Sequence, residues 1–459
     1  MARTTQQYYS KILLAMTIVC SFVVGTLGFV NNAASSSATR LMVYSTAAKT
    51  VPSRHIENVA IVGGGLAGLS TAYHLMDIAA EKRPNEKLHI TIYDKTQVGK
   101  GGASSVAGGL MHPFSPRGKM IHFGESALDH SKILIDAASK HRPDCVLRDH
   151  LYRVALSDKN VVQLQDTASK YPELSTWMDK EDLYNYFGIE CLGGLKLSNG
   201  CQVIHVPSYL NGLFDAIKEK AKDLPDGSYV DWEVIKPNDH QALNQKLENF
   251  DSVILSAGSG LIHNHLIDED PLPVQLVRGQ SLEIECELPS MEEVSSINND
   301  AVLCGKYISP LPSLKQDDDL HANAKNRYVI GATHEFKTTP LNATEVKEEL
   351  RSRTYELAPN LWDKGVVTEI TNGVRMQSHR GTFGRMPIVG KYEYTSDSSE
   401  ASIRHSCMWL FTGLSSRGLI YHGIFGRWLA NAVLNDDETS LQNEFQDFDW
   451  WRRKQKNEL

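Results

Sequence analysis

No aspartate or glutamate occurs before Glu57 in this chain of 459 residues. That leading stretch carries five basic groups, Arg3, Lys11, Arg40, Lys49 and Arg54, so it holds +5 and the remainder −13 of the total −8. A body this acidic argues against a protein that coats nucleic acid, because nonspecific affinity rests on cationic contacts to phosphate. It leaves room for a local basic site. Cysteine is also sparse: seven residues, Cys20 in the leading stretch, and no Cys-x-x-Cys pair. Neither a disulfide framework nor a metal site is expected, and the other cysteines read as small buried apolar groups. Internal repeats are lacking, and no apolar run after residue 30 is long enough to span a bilayer. With 41 % hydrophobic and 22 % charged residues, the composition is that of an ordinary globular protein. The length suits two or three domains.

The acid-free stretch divides in two. Residues 1–28 read as a secretory signal, a basic start followed by the apolar run 12–30. Residues 29–56 are rich in Ser, Ala and Thr, as transit peptides are. The order, with Phe29 at the junction, resembles the bipartite leaders of algae with secondary plastids, so a plastid address is expected. A secretory signal or membrane anchor and a mitochondrial leader stay open beside it. The final Lys456-Asn-Glu-Leu459 is one residue from an ER-retention tetrapeptide; a charged helix end is the plainer reading. No membrane association is expected of the mature form.

The mature chain opens on a short β-branched run, Asn58-Val-Ala-Ile-Val62, that leads directly into Gly63-Gly-Gly65-Leu-Ala-Gly68. Apolar residues at helical spacing follow. Strand, Gly-x-Gly-x-x-Gly and helix together point to a dinucleotide site. Gly63 makes the tight turn, Gly65 lets backbone approach a pyrophosphate, and Gly68 allows close packing of helix on strand. The helix N-terminus offers free N–H groups to the phosphates. A second strand-like run ends in Asp94, whose carboxylate suits ribose hydroxyls; its distance of 26 residues from Gly68 implies a short loop insertion. The small-residue segment 99–112, including Ala103, Ser104 and Gly109, lets backbone pass close to a flat ligand.

That segment resembles the stretch running past the flavin in the D-amino acid oxidase-like family, which includes glycine, sarcosine and D-amino acid oxidases. Four further stretches resemble the family in order. They are His205-Val-Pro207, Asp251-Ser-Val-Ile-Leu-Ser-Ala-Gly258, Asn372-Gly-Val-Arg375 with Arg385-Met-Pro-Ile-Val-Gly390, and Phe411-Thr-Gly413-Leu-Ser-Ser-Arg417-Gly418. Arg278-Gly279-Gln280 and Ser416-Arg417-Gly418-Leu419 resemble the oxidoreductase half of a bacterial bifunctional enzyme that matures the tRNA wobble uridine. The resemblance implies an α/β chain in which a Rossmann-like, glutathione-reductase-like FAD domain interleaves with an α+β substrate domain built on a mixed or antiparallel sheet. The FAD domain would collect residues 57–150, 203–262 and 375–440. The substrate domain would collect 151–202 and 263–374, leaving 441–459 as an extension.

The resemblance further implies non-covalent FAD, held by Gly63, Gly65, Gly68, Asp94, Ala103, Ser104, Gly109, Gly258, Gly413, Arg417 and Gly418. No cysteine lies between Arg375 and Gly390, where one branch attaches its flavin. The family reaction oxidises a C–N bond next to a carboxylate. Arg375 is expected to clamp that carboxylate through its bidentate fork. Arg417, at the start of a helix over residues 419–434, is expected to favour the charge of reduced flavin. His112 and Arg117, flanking Pro113-Phe-Ser-Pro116, are candidates for the substrate pocket. The substrate is then a small amine or a modified tRNA nucleoside; an FAD-binding assembly factor without catalysis is the third reading. Trp450-Trp451-Arg452-Arg453 could offer stacking surfaces beside cations, although an amphipathic extension is the plainer reading.

Overall fold

The computed structural model describes residues 57–236, 240–267, 272–287, 299–313, 325–337, 339–393, 405 and 407–456. The leader, the polar stretch 316–324 and residues 457–459 lie outside the described residues. Among the described residues there are seventeen strands, numbered β1 to β17 in chain order, and four helices of fifteen residues or more, numbered α1 to α4.

The first sheet has six strands in the order β16-β17-β10-β1-β2-β9. Its members are β1 Asn58–Val62, β2 His89–Asp94, β9 Tyr229–Val234, β10 Ser252–Leu255, β16 Ile388–Lys391 and β17 Met408–Thr412. All neighbours are parallel except the edge pair β16 and β17. The central strands are continuous apolar runs because both faces of a parallel sheet are covered; β10 and β17 are buried throughout. The long helices are α1 Leu66–Lys82, α2 Gly124–His141, α3 Val206–Lys220 and α4 Gly418–Asn435. They pack on one another, α4 against both α1 and α2 and α3 against the same two. Helix α1 buries 13 of its 17 residues and α4 buries 14 of 18, far more than the one stripe of a surface helix.

The second sheet has eight strands in the order β15-β11-β14-β13-β12-β5-β7-β6. These are β5 Leu151–Val154, β6 Ser175–Met178, β7 Gly194–Leu197, β11 Val274–Glu287, β12 Val302–Leu303, β13 Tyr307–Leu311, β14 Lys325–Gly331 and β15 Val366–Ser378. Every pairing is antiparallel except β12 with β5, so the sheet is mixed. Strand β15 runs on to Ser378, so residue 375 falls inside a strand rather than at its edge. A third, small sheet joins β3 Leu110–Met111, β8 Gln202–Ile204 and β4 Val146–Arg148. Strands of two or three residues leave no periodic trace in sequence.

The C-terminal aromatic pair does not offer stacking surfaces. Trp450 and Trp451 are 8 % and 2 % exposed. Their indole N–H groups donate to the Pro387 and Val389 carbonyls at 3.4 and 3.2 Å, and Arg452 pairs with Glu438. The segment closes the β16 edge of the first sheet, a use of a C-terminal element that blunts an open strand.

Candidate active site

At the end of β1, Gly63 has φ +105°, and its N–H donates to the Tyr93 carbonyl at 2.8 Å. A Cβ there would sit 2.4 Å from the Ala257 backbone. At Gly68 a Cβ would lie 2.0 Å from the Gly63 carbonyl oxygen. Both positions therefore exclude a side chain, and the turn closes against α1. Asp94, at the end of β2, accepts from the Gly64 N–H at 2.8 Å through Oδ2, and from the Thr96 N–H at 3.0 Å through Oδ1. Its carboxylate thus faces the glycine turn. Gly65 is the N-cap of α1, without a side-chain cap and without an acid in the first turn.

Ser104 lies beside that cap: a Cβ on Gly65 would meet its hydroxyl at 3.1 Å. Ala103 and Ser104 belong to a one-turn helix, Gly102–Ser105, and Gly109 (φ +75°) pairs through its carbonyl with the Ile204 N–H. Gly258 follows β10 at φ +54° and faces open space. Gly413 follows β17 at φ +69°. Arg417 is the N-cap of α4, again with no side-chain cap and no acid in the first turn. Gly418 begins α4 within reach of Leu66, the first residue of α1, which brings the two helix N-termini side by side.

The second sheet supplies the opposite wall. A Cβ on Gly373 in β15 would lie 3.1 Å from Ala103 and 2.6 Å from Val106, so this face of β15 meets the small-residue segment. Arg375, two residues on, projects from the same face. Tyr307 does likewise from β13: its ring fills the space where a Cβ of Gly108 would be, and its hydroxyl contacts Ser281 at 3.2 Å. Tyr307 is opposite Leu303, which is opposite Arg153 in β5. Directly opposed residues share a face, so Arg375, Tyr307 and Arg153 all look toward residues 103–112.

Arg375 Nη2 donates to His334 Nδ1 at 2.8 Å, and its Nε has no partner. Burial, then Arg375 and the further cations Lys306 and Arg385, hold His334 below its usual pKa. A neutral His334 leaves the guanidinium charge uncompensated. Burial raises the Tyr307 pKa, so its hydroxyl stays a donor. His112 Nδ1 accepts from the Phe114 N–H at 3.2 Å, and its Nε2 lies 3.3 Å from Arg153 Nη2. Burial, then Arg153 and Arg417, push the His112 pKa well down. His112 and Tyr307 are each half-buried. Arg117 does not join them: it is exposed on a turn whose Gly118 packs on Thr167.

A family model described as FAD dependent oxidoreductase (DAO) matches residues 58–432. The chain belongs to this family of FAD-dependent oxidoreductases. It is 21 % identical over 407 residues to the tRNA 5-methylaminomethyl-2-thiouridine biosynthesis bifunctional protein MnmC of Haemophilus ducreyi, a match that covers 83 % of this chain. The chain spans 56 % of that relative's length. Among solved structures it is similar to glycine oxidase from Geobacillus kaustophilus, with a TM-score of 0.57 at 18 % identity over 84 % of this chain and 96 % of that one. Iminodiacetate oxidase from Chelativorans sp. BNC1 is similar at a TM-score of 0.57 and 16 % identity, over 83 % and 95 % of the two chains.

The residues present fit FAD. The two helix N-termini at Gly65 and Arg417, both without acids in the first turn, suit a pyrophosphate at one and an electron-rich ring at the other, with the Ser104 hydroxyl, which accepts from the Leu66 N–H at 3.4 Å, beside the first. The glycine turn and the open space at Gly258 leave room for the cofactor's backbone contacts. Sequence reasoning missed Tyr307, His334 and Arg153, which come from three separate strands or loops of the second sheet. For Arg153 a signal was there: it is a charge inside the apolar run Leu151–Val154.

Proposed function

We propose that this FAD-dependent oxidoreductase oxidises the C–N bond of an amine that bears a carboxymethyl group. The observation that carries the reading is Arg375. It projects from β15 onto the small-residue segment with an unpartnered Nε and a neutral histidine as its hydrogen-bond acceptor. A guanidinium held so, with no carboxylate partner among the described residues, suits a substrate carboxylate. When bound, FAD accepts a hydride from the carbon next to nitrogen. Arg375 orients the carboxylate, the Tyr307 hydroxyl donates beside it, and Arg417 with the α4 N-terminus supplies positive potential at the other wall. Water then converts the product imine to an amine and glyoxylate.

The weak relation to the bifunctional tRNA protein supports carboxymethylaminomethyl-uridine in organellar tRNA as the carrier of that group. The acidic body is compatible with it, since one base entering a pocket needs only a local basic rim, and Arg380, Arg385 and Arg417 lie close together near the site. Nucleoside mass spectrometry of organellar tRNA tests this reading. Loss of the protein should cause carboxymethylaminomethyl-uridine to accumulate; unchanged nucleosides would leave a free amino-acid substrate.

A further inference from the structure

Arg153 is 8 % exposed in a strand whose other members, Leu151, Tyr152 and Val154, are buried. Burying a charge costs heavily unless it is paired. Among the described residues Arg153 has no carboxylate partner, and its Nε has no hydrogen-bond partner at all. Among the described residues its one side-chain hydrogen-bond contact is the His112 ring nitrogen Nε2. That contact is itself in conflict. A neutral imidazole accepts at one nitrogen and donates at the other. Here both nitrogens face donors, the Phe114 N–H at Nδ1 and the Arg153 guanidinium at Nε2. Whichever tautomer forms, one donor faces another. With the backbone bond to Nδ1 kept, the Nε2–H and the Arg153 Nη2 and Nε groups form a cluster of donors that lacks an acceptor. Such a buried, unsatisfied set is uncommon in a native fold and marks a missing partner.

We propose that Arg153 and His112 form a second oxyanion subsite, which takes a carboxylate or phosphate group of the substrate distinct from the carboxylate on Arg375. An oxygen anion between His112 Nε2 and the Arg153 fork would satisfy both donors and the buried charge together. The proposal rests on the reading of Arg375 as the first carboxylate clamp. It narrows the substrate to an amine that carries a carboxymethyl group and a further oxyanion. In a tRNA that oxyanion would be a backbone phosphate beside the modified uridine, and in a free amine a second carboxylate or a phosphate.

The test uses the FAD-loaded enzyme and the visible spectrum of its flavin as the reporter of acid binding. Straight-chain dicarboxylates from succinate to suberate are titrated against monocarboxylates of equal length, with phosphonocarboxylates as a parallel arm. One dicarboxylate or phosphonocarboxylate length should bind at least about 10-fold more tightly than its monocarboxylate counterpart, the range for hydrogen bonds to a charged group. Arg153→Met should erase that advantage while monocarboxylate binding and FAD content stay within about 2-fold. If Arg153→Met does not fold, His112→Gln should reduce the same advantage. A preference for phosphonates would assign phosphate, and a preference for dicarboxylates would assign carboxylate. Equal binding of both acids at every length overturns the subsite, as does an advantage that survives the substitutions. Loss of FAD from Arg153→Met also overturns it, since the missing acceptor would then be the flavin's own carbonyl. If no acid perturbs the spectrum, the Arg375 clamp fails with it.

Discussion

The cofactor end and the substrate end of this molecule solve opposite problems with their polar groups. At the cofactor end the glycine turn is closed on itself. Gly63 bonds to Tyr93, Gly64 bonds to Asp94, and Asp94 is held by Thr96. At the substrate end the cations are left open. Arg375 and Arg153 each keep a buried Nε without a partner, and the histidines beside them are held neutral by burial and by those same cations. The first end is preorganised by satisfaction, the second by the lack of it. A site that must meet an anion is stronger when no resident carboxylate competes for the charge.

The largest effect should come from breaking the first end. Gly68→Val forces a Cβ to within 2.0 Å of the Gly63 carbonyl oxygen, which α1 cannot relieve without leaving the sheet. Purified protein should lack flavin absorbance entirely; a yellow, active Gly68→Val variant would break the comparison. Next is the open end. Arg375→Ala should lower kcat/KM by roughly 100- to 1,000-fold, the worth of two charge-assisted hydrogen bonds. FAD content, read from the absorbance ratio, should not change.

The helix layer under the cofactor end gives a pH dependence. Burial first holds His74 down to about 3 and His422 down to about 4. Between those values and about 6.5 the unfolded chain binds protons that the folded protein refuses. Stability is therefore full above pH 6.5 and falls as pH drops, by up to about 1.4 kcal/mol per pH unit for each histidine. Urea midpoints at pH 7 and pH 5 check this; a flat profile would contradict it. The smallest effect is expected from Asp94→Ala, which removes acceptors from Gly64 and Thr96 but leaves the turn's own backbone bonds. FAD affinity should weaken by about 10-fold, measured by flavin release on dilution.

The two ends also differ in how legible they were. Gly63, Gly65, Gly68 and Asp94 are read directly because one strand-turn-helix unit holds them within 32 residues of sequence. The first sheet followed from the same unit and from apolar runs at β10 and β17. The substrate face is assembled from β15, β13 and β5, whose order in the sheet no local pattern encodes. Arg375 is singled out by the resemblance of Asn372-Gly-Val-Arg375 to the family's stretch, and the structure sets it two residues along β15 from Gly373, which packs on the Ala103 segment. Tyr307 and His334 lie in no such stretch. Arg117 was misplaced because closeness in sequence to His112 does not survive the turn at Gly118. For the tryptophan pair the plainer reading, an amphipathic extension, is the one that agrees with the structure: both rings cover an edge strand rather than offering stacking surfaces.

The central claim is that the open cations select an amine by its carboxylate. Anaerobic mixing of the FAD-loaded enzyme with paired amines tests it most directly, by following flavin bleaching. The panel sets glycine, sarcosine, iminodiacetate and carboxymethylaminomethyl-uridine against methylamine, dimethylamine and aminomethyl-uridine, which lack the carboxylate. Bleaching by at least one carboxylate-bearing amine, and by none of its carboxylate-free partners, is the result predicted. Equal bleaching by the carboxylate-free amines, or no bleaching by any member of the panel, would contradict it.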